Sequence, residues 1–428
     1  MEEGLYYKDN LRILGYVFKR QREKRGYSLR GVASSIRLAH TVVSEIENGK
    51  VQPNIETLSA MYDTLSIEFC TDEEILNSLK QKLVAFQDAI YYLDESKMQN
   101  YEANLKSNES LLLHSPLRVD YLLTCSLYNL EKSNWRKPRE EVLNIKEYSA
   151  FLSPDQKQIF HLINGVYHMK QKNHETALSE LRLVRDFNNQ EKITALGLLH
   201  TSYVHDALFN NHTALEFAEE ASRFFTQHHN ILRKIDMDML RVKKTIDIGD
   251  YRQAENIIKN LENILRVNHY SPAKKRLLVL MKSFLEFSRN NMDKAVQIVR
   301  AIDVDKPIYT FYKAMLSYVI GDKKKAVIYL NKTIELRDNL PHSQFICAAY
   351  LFLDYLGEPV DEAMLEESVD VASKSPYAYI NIHLHYFIYD LMSAYYKKRK
   401  KWKEAYYLTE TWLMISKKRD MYVTKLKG

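Results

Sequence analysis

The sequence predicts an all-α protein with a small N-terminal domain followed by a long array of helix pairs. Glycine and proline are scarce, with 11 and 9 among 428 residues, which favours helices joined by short connections. Apolar residues recur at helical spacing to the C-terminus, and no stretch shows strand-like alternation of comparable strength. A polar turn followed by an alanine also recurs along the chain, which is typical of repeat proteins.

The positive charge of the chain is concentrated near its N-terminus. Between residues 8 and 50 there are ten Lys and Arg against four Asp and Glu, an excess equal to the net charge of +6 of the whole chain. A basic end on a nearly neutral body suits phosphate binding, although a solvated charged helix has the same composition. Charge alone therefore leaves DNA binding open.

Cysteine usage and hydropathy predict a cytoplasmic protein with no membrane partner. The three cysteines are far apart and form no metal-binding spacing, which favours a reduced compartment. The N-terminus lacks the apolar run of a signal peptide, and no window is long and apolar enough to span a membrane.

No pattern indicates catalysis. The fourteen histidines form no HExxH motif and no carboxylate–histidine spacing that would suit a metal ion. A glycine-rich phosphate loop and a nucleophile elbow are also absent from the sequence. We therefore expect a non-enzyme with no catalytic residues, no cofactor and no metal.

The first seventy residues predict a series of short helices. Apolar residues at three- and four-residue spacing indicate a helix over residues 10–25, which Gly26 ends. Ser28 is placed to cap a second helix, and a turn near Arg37 separates that helix from a third at residues 39–47. Asn48 and Gly49 end the third helix, and another follows at residues 54–65.

Residues 11–69 resemble the Cro/C1-type (XRE-like) helix-turn-helix family, most specifically in the run SEIENGKVQPNIETL at residues 44–58. The resemblance implies a five-helix DNA-binding domain over residues 1–70, with residues 39–47 as the recognition helix in the major groove of double-stranded operator DNA. Leu29, Arg37 and Ala39 depart from the family pattern. A recognition helix that Ala39 leaves uncapped would be less stable by about 1 kcal/mol.

The same resemblance assigns individual DNA contacts. Polar side chains on one face of the recognition helix would read base edges, and flanking polar and basic residues would bind phosphates and set the register. The expected base contacts are His40, Thr41, Ser44 and Glu45, and the expected phosphate contacts are Arg30, Asn48 and Lys50.

From residue 71 onward, a repeated motif predicts helix pairs. A polar turn is followed by an alanine three residues into a new helix, at intervals of 31–42 residues, and Pro138 in WRKP fits one interval earlier. The alanines are Ala177, Ala214, Ala254, Ala295, Ala326, Ala363 and Ala405.

This pattern resembles tetratricopeptide (TPR) repeats, in which a small residue lies twelve positions before that alanine, where the paired helices cross. Six of the eight such positions are small, and the resemblance implies about eight or nine pairs in a right-handed superhelix over residues 71–428. An unrelated array such as a HEAT-type solenoid is the alternative. The small residues are Ser126, Gly165, Ser202, Ser283, Ala314 and Ser393.

The first helix of each pair is expected to line a concave groove. Counting from the anchor alanines predicts a groove with an aromatic half and a charged half, which suits an extended peptide with apolar side chains. Aromatic stripes at helical spacing are also typical of the core between repeats, so that reading stays open. The expected groove residues include Tyr203, Asp206, Lys243, Phe284, Phe311, Met315 and Tyr318.

A helix-turn-helix joined to a TPR array resembles the peptide-responsive RRNPP-type (Rgg/NprR/PlcR/PrgX-like) regulators of Gram-positive bacteria. The resemblance implies a cytoplasmic, quorum-sensing-type transcription regulator that acts as a homodimer and binds a short, hydrophobic signalling peptide. Family members clamp the peptide backbone with asparagines on inner helices, which makes Asn129 and Asn164 candidates here. The alternative is a TPR interaction or adaptor protein whose main ligand is another protein.

Dimerisation would let two DNA-binding domains contact two half-sites. Aromatic residues at the end of the array suggest a dimer surface, although they equally suit the closing core of the array. These residues are Trp402, Tyr406, Trp412 and Met414.

Overall fold

The computed structural model describes residues 8–132, 145–147, 149–187, 189–267, 272–339, 344–374, 382–411 and 413. Within these residues every regular element is an α-helix or a short 3-10 turn, so the predicted all-α class is confirmed. The chain forms two compact units, Met1–His200 with Phe224–Arg233, and Thr201–Arg223 with Lys234–Gly428. Each unit is described by itself below.

The first unit begins with four short helices that share a hydrophobic core, and residues 8–70 hold no fifth helix, although five were expected over residues 1–70. Ser28 accepts a hydrogen bond from the backbone N–H of Gly31 and so caps the second helix, as predicted. Phe18, Val43 and Tyr62 are fully buried in this core. The helices are α1 (Lys8–Lys24), α2 (Leu29–Ser35), α3 (His40–Glu47) and α4 (Ile55–Thr64).

The next helix, α5, begins just beyond the expected domain boundary at residue 70, where the Asp72 carboxylate caps it. The core of the first four helices extends to Phe69, which supports that boundary, and the division at residue 70 stays a proposal. The following elements are α5 (Glu73–Tyr92), α6 (Glu95–Ser107), α7 (Glu109–Leu113), α8 (Arg118–Glu131) and a 3-10 turn at Ser149–Phe151.

From residue 154 the described helices follow one another as a helix, a short connection and a helix. They are α9 (Pro154–Lys170), α10 (His174–Phe187), α11 (Glu191–Ala207), α12 (Asn211–Gln227), α13 (Ile231–Ile248), α14 (Tyr251–Val267), α15 (Pro272–Ser288), α16 (Met292–Arg300), α17 (Pro307–Val319), α18 (Lys323–Glu335), α19 (Gln344–Leu356), α20 (Glu362–Lys374), α21 (Ile382–Lys398) and α22 (residues 402–411).

The predicted crossing positions explain how paired helices approach each other. A methyl group on Gly165 would lie 2.7 Å from Cγ of Leu181, so only glycine allows α9 and α10 this close. In the second unit the Ser283 hydroxyl donates to the carbonyl oxygen of Ala295 at 2.7 Å, which joins the small residue directly to the anchor alanine. The contact between Ser283 and Ala295 supports the anchor register at that pair.

One anchor position is wrong, and another falls outside the described residues. Ala363 is exposed, because α20 begins at Glu362 and the side chain buried near its start is Leu365. Leu351, twelve positions earlier, is correspondingly large. Pro138 lies outside the described residues.

No helix in the described ranges combines the length and the apolar character needed to cross a bilayer.

Candidate DNA-binding site and ligand-binding helices

Helix α3 has one buried face and one polar face. Val43 and Ile46 point into the core of the first four helices, where α3 packs against α1 and α2. The outward positions follow at helical spacing. His40, Thr41 and Glu45 are exposed and Ser44 is half-buried.

A buried ion pair holds the C-terminal end of α3 against α1. The Arg22 guanidinium donates to both carboxylate oxygens of Glu47, at 2.5 Å and 2.8 Å, and to the carbonyl oxygen of Tyr27 at 2.8 Å. The hydrogen bond to Glu47 raises the pKa of Arg22 above its usual value, against the effect of burial. The sequence signal for this pair is a charged residue, Glu47, four positions after the buried Val43.

The departures of the turn from the family pattern have structural consequences. Arg37 adopts a left-handed conformation at φ 55°, which costs an L-residue roughly 1–2 kcal/mol. Ala39 has the extended conformation of an N-cap residue but offers no side-chain hydrogen bond to α3, as expected. The recognition helix therefore depends on its buried contacts rather than on its cap.

The expected phosphate contacts differ in how available they are. Arg30 and Lys50 are exposed, whereas the Asn48 side chain is already engaged. Its amide nitrogen donates to the carbonyl oxygen of Ser44 at 2.7 Å, and its oxygen accepts from Lys19 at 2.9 Å. Sequence reasoning missed Lys19, which α1 places beside the end of the recognition helix.

In the second unit, three of the expected groove residues lie in the hydrophobic core. Phe311 and Met315 are almost completely buried, and Phe284 is 7% exposed. The Phe311 ring packs against Phe345 with centroids 5.9 Å apart. These side chains therefore belong to the core between repeats, which was the alternative interpretation of the aromatic stripe. They offer almost no surface to a ligand in this structure.

Tyr318 differs from the other aromatic candidates because its ring is only half-buried. It contacts the rings of Phe352 and Phe387, and its hydroxyl lies 3.3 Å from that of Tyr355, which is exposed. This edge of the aromatic cluster remains accessible to a ligand.

Asp206 and Lys243 belong to a buried network of charges in the second unit. Lys243 donates to both Asp206 oxygens, at 2.9 Å and 2.7 Å, and Lys244 lies 2.6 Å from the same carboxylate. Lys244 also pairs with Asp247 at 2.8 Å and donates to the Asn211 side chain at 2.8 Å. Burial opposes ionisation of Asp206, but the two lysines outweigh it and lower the pKa of the carboxyl.

The ring of His385 in α21 packs against Phe209 with centroids 4.9 Å apart. Burial lowers the pKa of His385 to about 3, and the charges of Lys243 and Lys244 act in the same direction. The imidazole is therefore neutral at pH 7 and adds no charge to this network. The sequence could not reveal this because Asp206 and Lys243 are 37 positions apart.

The remaining candidates lie on separate helices. Asn129 in α8 and Asn164 in α9 are half-buried residues of the first unit, and Tyr203 in α11 is a half-buried residue of the second. Trp402 and Tyr406 are 63% and 61% exposed, whereas Trp412 and Met414 lie outside the described residues. Among the described residues there is no group of three or more His, Cys, Asp or Glu side chains that could hold a metal ion.

Comparison with known families and structures agrees with this layout. Residues 18–69 match the helix-turn-helix family, within the range predicted from the sequence. A search of curated proteins finds no match. Solved structures match most of the chain at low sequence identity, which bears on the fold alone.

Three of these structures illustrate the range. A Rap protein complexed with competence and sporulation factor has a TM-score of 0.62 at 14% identity, covering 81% of this chain and 99% of its own. The regulator NprR in complex with its cognate peptide NprX has a TM-score of 0.52 at 15% identity, covering 73% and 99%. Aspartyl phosphate phosphatase F from Bacillus subtilis has a TM-score of 0.50 at 16% identity, covering 80% and 94%.

The chain thus contains a helix-turn-helix domain, and its helical fold is similar to the TPR-like fold of Rap and NprR. The resemblance in architecture to the RRNPP-type regulators, drawn from the sequence, is confirmed at the level of this fold. The HEAT-type alternative is not supported.

Proposed function

We propose that this protein is a DNA-binding transcription regulator controlled by a short peptide. The observation that carries the proposal is the exposed polar face of α3, held in place by the Arg22–Glu47 pair and presented by a domain that matches the helix-turn-helix family. We also propose that the protein acts in the cytoplasm as a homodimer, which binds an operator made of two half-sites.

The proposed DNA contacts are of two kinds: residues that contact base edges and residues that bind phosphates. His40, Thr41, Ser44 and Glu45 are proposed to face base edges, because they share the outward face of α3. Arg30 and Lys50, joined by Lys19, are proposed to bind phosphates, and the Asn48 side chain is proposed to act mainly by ordering Lys19.

Substitution of the two groups should have different effects on DNA binding. A His40→Ala/Glu45→Ala variant should relax sequence preference, with each lost base contact reducing discrimination by about 1–3 kcal/mol. Lys50→Ala should weaken binding to all sequences and reduce the salt slope by about one ion. Selection from a random DNA library, followed by titration at several salt concentrations, measures both.

Lys106→Ala, at an exposed position of α6 away from α3, is the matched control. Unchanged sequence preference in the His40→Ala/Glu45→Ala variant would show that α3 does not read bases.

For the peptide, we propose the candidates whose side chains retain exposed surface: Asn129 and Asn164 in the first unit, and Tyr203 and Tyr318 in the second. NprR, which shares the fold, is described in complex with a cognate peptide, and this supports a peptide as the ligand class. Phe284, Phe311, Met315, Asp206 and Lys243 are proposed to support Tyr203 and Tyr318 from the interior of the second unit.

Two neighbouring aromatic residues should respond oppositely to truncation. Tyr318→Ala should weaken peptide binding and lower the free energy of unfolding by less than Phe311→Ala does, because its ring is only half-buried. Phe311→Ala should lower the free energy of unfolding by about 3–5 kcal/mol, because the ring is fully buried. Calorimetry with a synthetic peptide from a short reading frame beside the gene, together with thermal melts, separates the effects. A stable Phe311→Ala variant that no longer binds would reverse these assignments.

The second candidate function is a TPR interaction or adaptor protein whose main ligand is another protein. The likeness in fold to aspartyl phosphate phosphatase F favours it. Stoichiometric co-purification of a protein partner, with no peptide bound in calorimetry, would support this alternative over the first.

A further inference from the structure

The DNA-binding helices are not isolated from the helices that follow them in the first unit. At the start of α1, Asn10 is 5% exposed and its amide donates to the carbonyl oxygen of Pro116, between α7 and α8, at 3.1 Å. Its side-chain oxygen accepts a hydrogen bond from Gln156 in α9 at 3.3 Å. A polar side chain buried this deeply and satisfied on both atoms indicates a built contact.

Gln156 joins this contact to the first turn of α9. Its amide nitrogen donates to Asp120 at 2.8 Å as well as to Asn10, and its oxygen accepts from the backbone N–H of Ser153 at 3.1 Å. The Ser153 hydroxyl accepts from the Gln156 N–H in return, which forms a capping box. One side chain thus caps α9 and binds α1 at the same time.

A second contact lies beside the end of the recognition helix. The Phe151 ring packs so closely on Gly49 that a methyl group there would lie 2.9 Å from the ring. Tyr16 in α1 flanks the same ring, with centroids 6.4 Å apart. Just before this turn, Glu147 forms an ion pair with Arg20 of α1.

A third contact involves Tyr62 of α4. The ring of Tyr62, in the core of the DNA-binding helices, contacts the ring of His114 with centroids 5.9 Å apart. The backbone N–H of Cys70 donates to the His114 carbonyl oxygen at 3.1 Å. The polypeptide link between the two parts is therefore itself tied down.

Three separate contacts define an orientation. One contact leaves a rigid body free to rotate in every direction, and two leave rotation about the line that joins them. The contacts at Asn10, Gly49 and Tyr62 lie on α1, after α3 and on α4, so together they remove that freedom.

We propose that Gln156 and Phe151 are positioning residues, which hold the DNA-binding helices in one orientation on α7–α9 and thereby set the half-site spacing that a dimer accepts. The inference rests on the proposed function for its DNA part, whereas the docking itself does not depend on DNA. Both residues act through α1 and Gly49 and not by touching DNA. Through these contacts, α9 is the element by which the repeat helices set the position of the recognition helix.

The docking is tested first without DNA, by amide hydrogen exchange on the full chain. An Asn10→Ala/Phe151→Ala variant removes two contacts and leaves the α9 capping box intact. We expect faster exchange in residues 111–117 and 149–153, with unchanged protection of the core of α1–α4. Asn100→Ala at an exposed position of α6 is the matched control. Unchanged exchange in the double variant would overturn the docking.

The consequence is tested by selecting DNA from a library of random half-sites separated by spacers of varied length. The wild-type protein should select one spacer length, and the double variant several, with the same half-site sequence. The affinity of the double variant for DNA with the preferred spacer should fall about tenfold, because the second DNA-binding domain of the dimer then has a lower effective concentration at its half-site. An unchanged spacer distribution would overturn the positioning role. If the wild-type protein selected no DNA, the proposed function would fail, and hydrogen exchange would still decide the docking.

Discussion

Replacing Arg22 by alanine should unfold helices α1–α4 while the repeat helices remain folded. The change leaves the Glu47 carboxylate, 1% exposed, without its bidentate partner, and removing one partner of a buried pair typically costs about 3–5 kcal/mol. That is a large fraction of the stability of a domain of this size. Hydrogen exchange over residues 8–70, compared with residues 154–339, measures the local loss.

Two further variants test whether the loss of stability comes from the unpaired Glu47 charge or from substituting any basic residue of α1. Lys24→Ala, on the exposed side of the same helix, should change stability by less than about 0.5 kcal/mol. An Arg22→Met/Glu47→Leu variant removes both charges together and should recover much of the loss. If Arg22→Ala left protection in residues 8–70 unchanged, the pair would not hold α3.

Replacing Asp206 by alanine should destabilise the second unit by a similar amount. Lys243 and Lys244 would then both lose the buried carboxylate that pairs with them, and the expected cost is about 3–5 kcal/mol. Asp236→Ala is the matched control, because its ion pair with Lys274 is partly exposed and should contribute about 0–1 kcal/mol. Chemical denaturation of the full chain, followed by hydrogen exchange in residues 234–267, distinguishes the two.

The same network predicts how stability depends on pH. The pKa of the Asp206 carboxyl is lower in the folded protein than its unfolded value of about 3.9, so its contribution is present above that pH. Stability is lost as the pH falls through the folded pKa, because the unfolded chain binds the proton first. Asp206→Asn should remove this part of the acid sensitivity. A wild-type-like acid profile in that variant would contradict the assignment.

Local patterns predicted the DNA-binding helices well. Ser28 caps α2 because a hydroxyl at that position reaches the N–H of Gly31, and this depends on neighbouring residues alone. The small residues before the anchor alanines also follow from a local rule, as the contact between Ser283 and Ala295 shows. The prediction for Ala363 was wrong because a small shift in the residue at which α20 begins changes which of its side chains face inward.

The sequence by itself determined the helices, their inward faces and the exposed polar side of α3, because helical periodicity and capping are properties of residues a few positions apart. Only the tertiary structure decided what covers each face. Periodicity places Phe311 and Tyr318 on inward positions alike, and neighbouring helices then bury one and leave the edge of the other open. Asp206 pairs with Lys243, which is 37 positions away, and Asn10 bonds to Gln156, which is 146 positions away, and no local rule carries that information.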